Sequence, residues 1–376
     1  MKIITILGTR PEIIRMACII KELDKYTENI IVHTGQNYDR NLKDKFFEDL
    51  DLRSPDIQLD VKAENLYEQL SNIIRETGKV FNEVRPDAVI TLGDTNSALS
   101  LINARRMKIP TFHIEAGDRS FDINVPEELN RKIVDHTANI NIAYTEYSRR
   151  NLLSEGIHPS KIFVCGSPIK EVYESISKKI SNSNILGKLN LKKSKFIVAS
   201  IHREENVDTI GGLNKMIDTY KKLSEHFGVK IVVSTHPRTR ARIKKLNLAD
   251  LTSNDPINWH EPFGLIDFLS LQKNSLCVVS DSGTIHEDSA VLRFPAVAIR
   301  KSSEKYESLD SGFCPFTGLD SDNVIRCCEV AINNKSSILE NTIAYEYNTN
   351  RASRVVTNLV TSLTELVRNE WSKSYI

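Results

Sequence analysis

Short apolar runs recur along the whole chain, each separated from the next by a longer amphipathic stretch. An apolar run too short for a helix reads as a strand buried on both faces. Strands that alternate with helical patterns read as parallel strands joined by crossover helices. In the first half the predicted strands are Ile3–Leu7, Ile30–His33, Ala88–Leu92, Thr111–Ile114, Ile140–Ala143 and Ile162–Val164. In the second half they are Phe196–Ile201, Lys230–Ser234, Leu276–Ser280 and Ala296–Ile299. Helical periodicity falls at Pro11–Lys25, Leu66–Val84, Asn96–Met107, Glu128–His136, Tyr147–Glu155, Thr209–Glu225 and Leu265–Gln272. The pattern predicts an α/β chain of doubly wound sheets, which bind ligands outside the carboxyl ends of their strands.

A chain of 376 residues, 40% apolar, is long enough for more than one core. The segment SKKISNSNILGKLNLKKSK is polar and short of periodicity, and reads as the entrance to a second domain whose first residues lie nearer Ile169–Ser175. The expected division is a first domain over 1–168 and a second over 169–350. The tail 351–376 then carries apolar Val355, Val356, Leu359, Val360, Leu363 and Leu366 at helical spacing, as a helix returning to the first domain.

With 50 basic and 49 acidic residues the net charge is +1, which argues against a general nucleic-acid binder but leaves room for a local phosphate site. The opening MKIITILGTRPEIIRM reads as strand then helix rather than a signal peptide, and no run approaches a membrane span. The six cysteines lack CxxC spacing and read as buried free thiols, so a cytosolic enzyme is expected. The histidines show no HExxH or Cys/His zinc spacing, no GxGxxG follows the first strand, and Ser282 lacks a GxSxG elbow.

Chemistry gathers at the strand ends. The segment His113–His136 carries six carboxylates: Glu115, Asp118, Asp122, Glu127, Glu128 and Asp135. Acid/base work needs carboxylates in unlike environments held close together. Glu115 directly follows a strand. Glu127 and Glu128 open a helix after Pro126, where they also suit the helix dipole, and Arg131 stands at i,i+4 from Glu127. Asp94 in Gly93-Asp94-Thr95 ends another strand, where taken alone an ordinary helix cap is the first explanation, although a capping aspartate at a strand end can still face a ligand. Gly8-Thr9-Arg10-Pro11-Glu12, with Arg15 further along the helix, offers cations at a helix start for an anion, or else a surface turn. In the second half, His202 and Arg203 follow a strand, and His236-Pro237-Arg238 occupies the equivalent end of the next. A histidine there titrates near neutrality and can serve a leaving group. Ser282, Gly283 and Thr284 expose successive backbone N–H groups at a helix start, a nest for phosphate oxygens or a plain Asp/Ser cap. One turn inside, Glu287 or Asp288 offers a carboxylate that can accept from a ribose diol.

Taken together, GTRPE, TGQNYD, GDT, HIEAG-x-R, VPEELNRKIVDH, HREEN, HPRTR and SDSGTIHED resemble the non-hydrolysing UDP-N-acetylglucosamine 2-epimerase family in order and spacing. The resemblance runs from Met1 to about Leu319 and on toward the C-terminus. It implies a GT-B architecture, two Rossmann-like domains with a hinged cleft, and a homodimer. It also implies elimination of UDP across sugar carbons 1 and 2, then re-addition with protonation on the opposite face, without nicotinamide or metal cofactor. By motif position Asp94, Glu115 and Glu127 are the acid/base carboxylates, and His202 serves the departing UDP. Arg10, Arg15, Ser282 and Gly283 hold the diphosphate and Asp288 the ribose, with Arg131, His236 and Thr284 as further substrate contacts. FDINVPEELNRKIVDH, GSPIKEV, HREENVD, HPRTR and the PFG before DFLSLQ resemble the branch that makes UDP-N-acetyl-L-fucosamine from a 6-deoxy talose-type precursor for surface polysaccharide.

The chain departs from the family at three places. Glu304-Lys305-Tyr306-Glu307 replaces ERPE. TGQNYDRNLKDKFF lacks the pattern that many bacterial relatives use at an allosteric site. Asp118 stands before Arg119 where an apolar or amide residue is usual. The competing readings are a UDP-GlcNAc/UDP-ManNAc epimerase, a hydrolysing relative, a GT-B glycosyltransferase and a non-catalytic nucleotide-sugar binder.

Overall fold

The computed structural model describes residues 1–35, 40–61, 63–248, 250–251, 256–336 and 344–372. It divides into two compact units, Met1–Ser175 with Tyr345–Ile376, and Ile176–Ala344.

The strands of unit 1 are β1 (Lys2–Leu7), β2 (Glu28–His33), β3 (Ile57–Gln58), β4 (Ala88–Leu92), β5 (Thr111–Ile114), β6 (Ile140–Ala143) and β7 (Ile162–Val164). Its helices are α1 (Arg10–Leu23), α2 (Arg40–Asp49), α3 (Leu66–Val84), α4 (Leu101–Arg106), α5 (Pro126–Thr137), α6 (Glu146–Ser154) and α7 (Ile169–Ser175). The sheet runs β3-β2-β1-β4-β5-β6-β7 with every pair parallel, so the strand order reverses between β1 and β4. β4, β5 and β6 are buried at every position, as the continuous apolar runs require. Ile4, Ile6, Val32 and Val89 from the sheet meet Val80 and Phe81 of α3 and Leu101 and Ala104 of α4 in one core.

Unit 2 opens with α8 (Ser177–Asn182) and α9 (Ile185–Lys188). Its strands are β8 (Phe196–Ser200), β9 (Lys230–Ser234), β10 (Ile257–His260), β11 (Cys277–Ser280), β12 (Ala296–Ile299) and β13 (Phe316–Thr317). Its other helices are α10 (Glu204–Val207), α11 (Ile210–Phe227), α12 (Pro237–Leu246), α13 (Leu265–Asn274), α14 (Ile285–Leu292), α15 (Tyr306–Asp310) and α16 (Ser321–Asn333). The sheet order β10-β9-β8-β11-β12-β13 is again all parallel and again reverses, between β8 and β11. Ile197, Ala199, Ile231, Val233, Val279 and Val297 pack on Leu213, Tyr220 and Leu223 of α11. Both units are Rossmann-like, each with a reversal point where ligands of such sheets bind.

The structure differs from the sequence reading in several places. Unit 1 extends past residue 168 to Ser175 because α7 packs on α1. The chain returns to it at Tyr345 rather than 351, and the final helix α17 (Ala352–Ser372) lies on α1. The polar segment after residue 176 forms α8 and α9, which pack on α13 through Ile180 and Ile185. The helix expected over Asn96–Met107 begins as a 3-10 turn, Asn96–Ser100, before α4. Strands β3, β10 and β13 had no counterpart in the pattern. All three are sheet edges, where pairing on one side supports short strands without a continuous apolar run. Of TGQNYD, residues 36–39 lie outside the described residues.

Candidate functional site

In unit 1 the carboxyl ends of β1, β4 and β5 are joined by side chains. Glu12, in the first turn of α1, accepts from the N–H groups of Gly8 and of Thr9 (2.9 Å) and from the Thr95 hydroxyl (2.5 Å). It thereby ties the GTRPE turn to the GDT turn. Burial pushes its carboxyl up to about 7, against those hydrogen bonds. Glu115 follows β5 with φ +65°, a left-handed conformation that a side chain with a Cβ rarely adopts and that concentrates at functional sites. Gly93 turns the chain at φ +72°, and Glu115 Oε2 lies 3.6 Å from where a Cβ on Gly93 would stand, so the carboxylate lies beside the β4 turn.

Glu115 forms an ion pair with Arg15, whose side chain is only 6% exposed and also lies over the Tyr144 ring at 5.7 Å. The sequence placed Arg15 at a diphosphate. In the structure its guanidinium lies against the Glu115 carboxylate. Arg10 is half-buried, its guanidinium over the Phe46 ring at 5.8 Å.

Arg131 was expected opposite Glu127. It pairs instead with Asp94 (2.5 Å) and with Glu128 at i,i+3 (3.3 Å), which holds Asp94 at the start of the next turn. Asn130 donates to the Asp94 carbonyl (2.9 Å) from the same face of α5. Glu128 is buried and accepts from the N–H and the hydroxyl of Ser120, closing the preceding loop, whereas Glu127 is exposed on the first turn of α5. The Pro126 start of the helix sends the two neighbours to different environments. Asp118 is buried and accepts from Ser148 Oγ (2.6 Å), fastening the loop after β5 to α6.

In unit 2 the organising residue is Asp281, at the end of β11 and fully buried. It accepts from the N–H groups of His202 (2.9 Å) and Arg203 (2.8 Å) and from Asn206 Nδ2 (3.0 Å), and faces His202 Nδ1 at 3.0 Å. Burial would raise its carboxyl, but His202 first and then Asn206 and Arg203 hold it below the usual range. His202 is thus fixed through Nδ1, with 40% of its side chain exposed, and stacks on His236 at 5.8 Å between centroids. His236 caps α12 by accepting from the Arg238 N–H (3.3 Å). Ser282 Oγ meets Thr284 Oγ1 at 3.1 Å, and Thr284 donates to Asp288 Oδ2 (2.8 Å). Asp288, expected at a ribose, is buried and engaged within its own helix start. Guanidinium nitrogens of Arg203 and Arg300 stand 3.8 Å from where a Cβ on Gly283 would be, so the nest is flanked by two cations. In the Glu304-Lys305-Tyr306-Glu307 segment, Glu304 forms a two-pronged pair with buried Arg300 (2.7 and 2.9 Å), and Lys305 is itself buried.

The model of a known family, UDP-N-acetylglucosamine 2-epimerase, matches residues 21–361. The chain belongs to the UDP-N-acetylglucosamine 2-epimerase family. A curated relative of that description from Methanocaldococcus jannaschii is 37% identical over 343 residues, covering 89% of this chain and 93% of its own. A solved UDP-N-acetylglucosamine 2-epimerase from Rickettsia bellii superposes with TM-score 0.90 at 36% identity, covering 98% of both chains. The M. jannaschii enzyme in complex with UDP-GlcNAc and UDP gives TM-score 0.87 at 35% identity over 96% of this chain and 100% of that one. A Pseudomonas aeruginosa UDP-2,3-diacetamido-2,3-dideoxy-D-glucuronate 2-epimerase is 29% identical over 88% of this chain and 92% of its own. The fold extends to WaaG, a glycosyltransferase of lipopolysaccharide biosynthesis, with TM-score 0.62, 9% identity and 96% and 100% coverage, which marks the two-domain plan as GT-B type.

Sequence reasoning passed over three residues of this family member. Glu12 and Asp281 lie inside quoted motifs but look like helix caps, and each proves to join two strand ends. His113 looks like one more residue of a buried strand, although a histidine inside an apolar run was itself the signal.

Proposed function

We propose that this chain inverts carbon 2 of a UDP-N-acetylhexosamine by eliminating UDP and adding it back. The observation that carries the reading is the unit 1 arrangement, in which Glu115, held in a left-handed conformation on Arg15, lies beside the turn that presents Asp94 on Arg131. The proton on carbon 2 is weakly acidic, so its removal must be coupled to loss of a stabilised leaving group. In the forward step a carboxylate takes the carbon 2 proton, the electron pair forms the C1=C2 double bond, and the C1–O bond breaks to release UDP. In the return step UDP oxygen re-attacks carbon 1, and the C1=C2 electron pair takes a proton on the opposite face of carbon 2 from a second carboxyl group that stands protonated and is left as a carboxylate. Asp94, Glu115 and Glu127 are assigned these transfers. His202, oriented by Asp281, serves the leaving diphosphate, with Arg10, Ser282, Gly283, Thr284 and His236 as its further contacts and Asp288 toward the ribose. Arg15 and Arg131 act here through the carboxylates they hold.

For the sugar, we propose a 6-deoxy L-talose-type substrate converted to the L-fucose type for surface polysaccharide, on the FDINVPEELN segment, where Phe121, Ile123 and Leu129 expose apolar side chains around Glu127. UDP-GlcNAc is the second reading, favoured by the M. jannaschii UDP-N-acetylglucosamine 2-epimerase relatives at 37% and 35% identity. A homodimer is carried with the family resemblance. Incubation in deuterated water with UDP-GlcNAc and with the 6-deoxy nucleotides, followed by NMR, tests the reading. Deuterium at carbon 2 with the UDP linkage retained is expected. Free sugar would show a hydrolase, and binding without exchange a nucleotide-sugar binder.

A further inference from the structure

Resting on the epimerase reading above, we propose that His113 and Asp135 are positioning residues, a buried strut that holds the turns carrying Asp94 and Glu115 in register. His113 lies on β5 opposite Thr91 of β4. Its Nε2 is 2.8 Å from the carbonyl of Gly93, the residue before Asp94, and its Nδ1 is 2.7 Å from Asp135 Oδ1 on α5. The other Asp135 oxygen accepts from the Gly117 N–H (3.1 Å), two residues after Glu115, and pairs with Arg119 (2.7 Å). Arg119 in turn makes a forked pair with Glu155 (2.8 and 2.7 Å), and Glu155 also faces His136 (3.3 Å). His113 and Arg119 are fully buried and Asp135 is 1% exposed.

A backbone carbonyl only accepts. Burial would raise the Asp135 carboxyl, but His113 and then Arg119 hold it below the usual range, so it too accepts. Both ring nitrogens of His113 therefore donate. One carboxylate pins the segment bearing Glu115 at both ends, through the His113 side chain and through the Gly117 amide. The same imidazole reaches across the sheet to the turn bearing Asp94. A left-handed glutamate persists only where its surroundings over-determine it, and this is the surrounding that does so. An apolar side chain would fill the position in β5 as Phe112 and Ile114 fill theirs, so packing alone does not call for a histidine.

The test compares His113→Gln, Asp135→Asn and the double variant. In His113→Gln the carboxamide nitrogen still reaches the Gly93 carbonyl, but its oxygen meets the Asp135 carboxylate. In the double variant the new carboxamide at position 135 would donate to that oxygen and keep its own oxygen for Gly117 and Arg119, restoring complementarity. A displacement near 1 Å is worth about 100-fold in rate, so kcat of His113→Gln should fall about 100-fold. Asp135→Asn, which keeps the hydrogen bonds if His113 gives up its Nδ1 hydrogen and retains the one on Nε2, should fall about 10-fold, and the double variant should recover at least about tenfold over His113→Gln. UDP affinity by calorimetry should stay within about twofold in all three, since the nest and His202 belong to unit 2. The inference is overturned if folded His113→Gln keeps kcat within about threefold of wild type, if the double variant recovers nothing, or if UDP affinity falls in parallel with kcat. Should His113→Gln not fold, Asp135→Asn decides, and kcat within about threefold of wild type there overturns it. Wild-type protein that exchanges no carbon 2 proton with any UDP-N-acetylhexosamine would remove the epimerase reading and this inference with it. Active wild type with fully active variants would remove the strut alone.

Discussion

Replacing Asp281 by asparagine changes one atom and separates the chemistry of His202 from its placement. Three of the four donors at this carboxylate, the N–H groups of His202 and Arg203 and the Asn206 amide, reach Oδ2 at 2.8–3.0 Å, while His202 Nδ1 faces Oδ1 at 3.0 Å. The asparagine oxygen therefore keeps the crowded position and its NH2 turns to the imidazole. That amide donates to Nδ1, which forces the ring hydrogen onto Nε2 and takes away the carboxylate oxygen that Nδ1 faces. The fold loses charge-assistance in a buried network, worth about 1–3 kcal/mol, and should still form. Catalysis loses an oriented acid at the leaving group, worth about 100- to 10,000-fold. The assay is kcat by NMR beside UDP affinity by calorimetry, with near-UV circular dichroism as the check on folding. The account expects kcat to fall at least about 100-fold with UDP affinity within about fivefold. Folded Asp281→Asn with kcat within about threefold of wild type would refute the proposed role of the pair.

Three other perturbations have definite expectations. Glu12, with its carboxyl raised from 4.5 to about 7, binds a proton in the folded state that the unfolded chain has released, so the stability it contributes is present below about pH 4.5 and lost as pH rises through 7. The loss is at most about 3 kcal/mol; Glu12→Gln should flatten the melting temperature between about pH 5 and 8 and raise it at the upper end, and an unchanged pH profile would contradict this. Glu115→Gln should bind UDP as wild type does yet lose carbon 2 exchange by at least about 100-fold, and full exchange would end its catalytic assignment. Gly117→Ala forces a Cβ into the Ser148 carbonyl at φ +84°, so it should cost about 1–3 kcal/mol and lower the melting temperature by several degrees; a melt matching wild type would show that the loop relaxes freely.

What the sequence made legible follows from what each residue depends on. The strands buried on both faces, such as Ala88–Leu92 and Thr111–Ile114, declare themselves because burial of every position demands an unbroken apolar run. The edge strands Ile57–Gln58, Ile257–His260 and Phe316–Thr317 stay hidden because their support comes from one neighbouring strand. Strand ends mark where polar chemistry must lie, so Asp94, Glu115, His202 and Ser282 could be singled out without coordinates. Which cation each carboxylate takes could not, since Arg15 reaches Glu115 from 100 positions away in sequence and Arg131 reaches Asp94 across the sheet. Local spacing favoured Glu127 for Arg131, and the tertiary geometry chose otherwise. Asp281 and Glu12 resembled helix caps because capping and bridging use the same residue types at the same places.

The central claim is that the bond between carbon 1 and the diphosphate oxygen breaks and re-forms. Placing 18O in the bridging position of the UDP-N-acetylhexosamine and following it by 31P NMR tests that directly. If UDP leaves and returns, its freed β-phosphate rotates and the label spreads from the bridge to the non-bridging oxygens while carbon 2 inverts. Inversion with the label still wholly in the bridge would contradict the account.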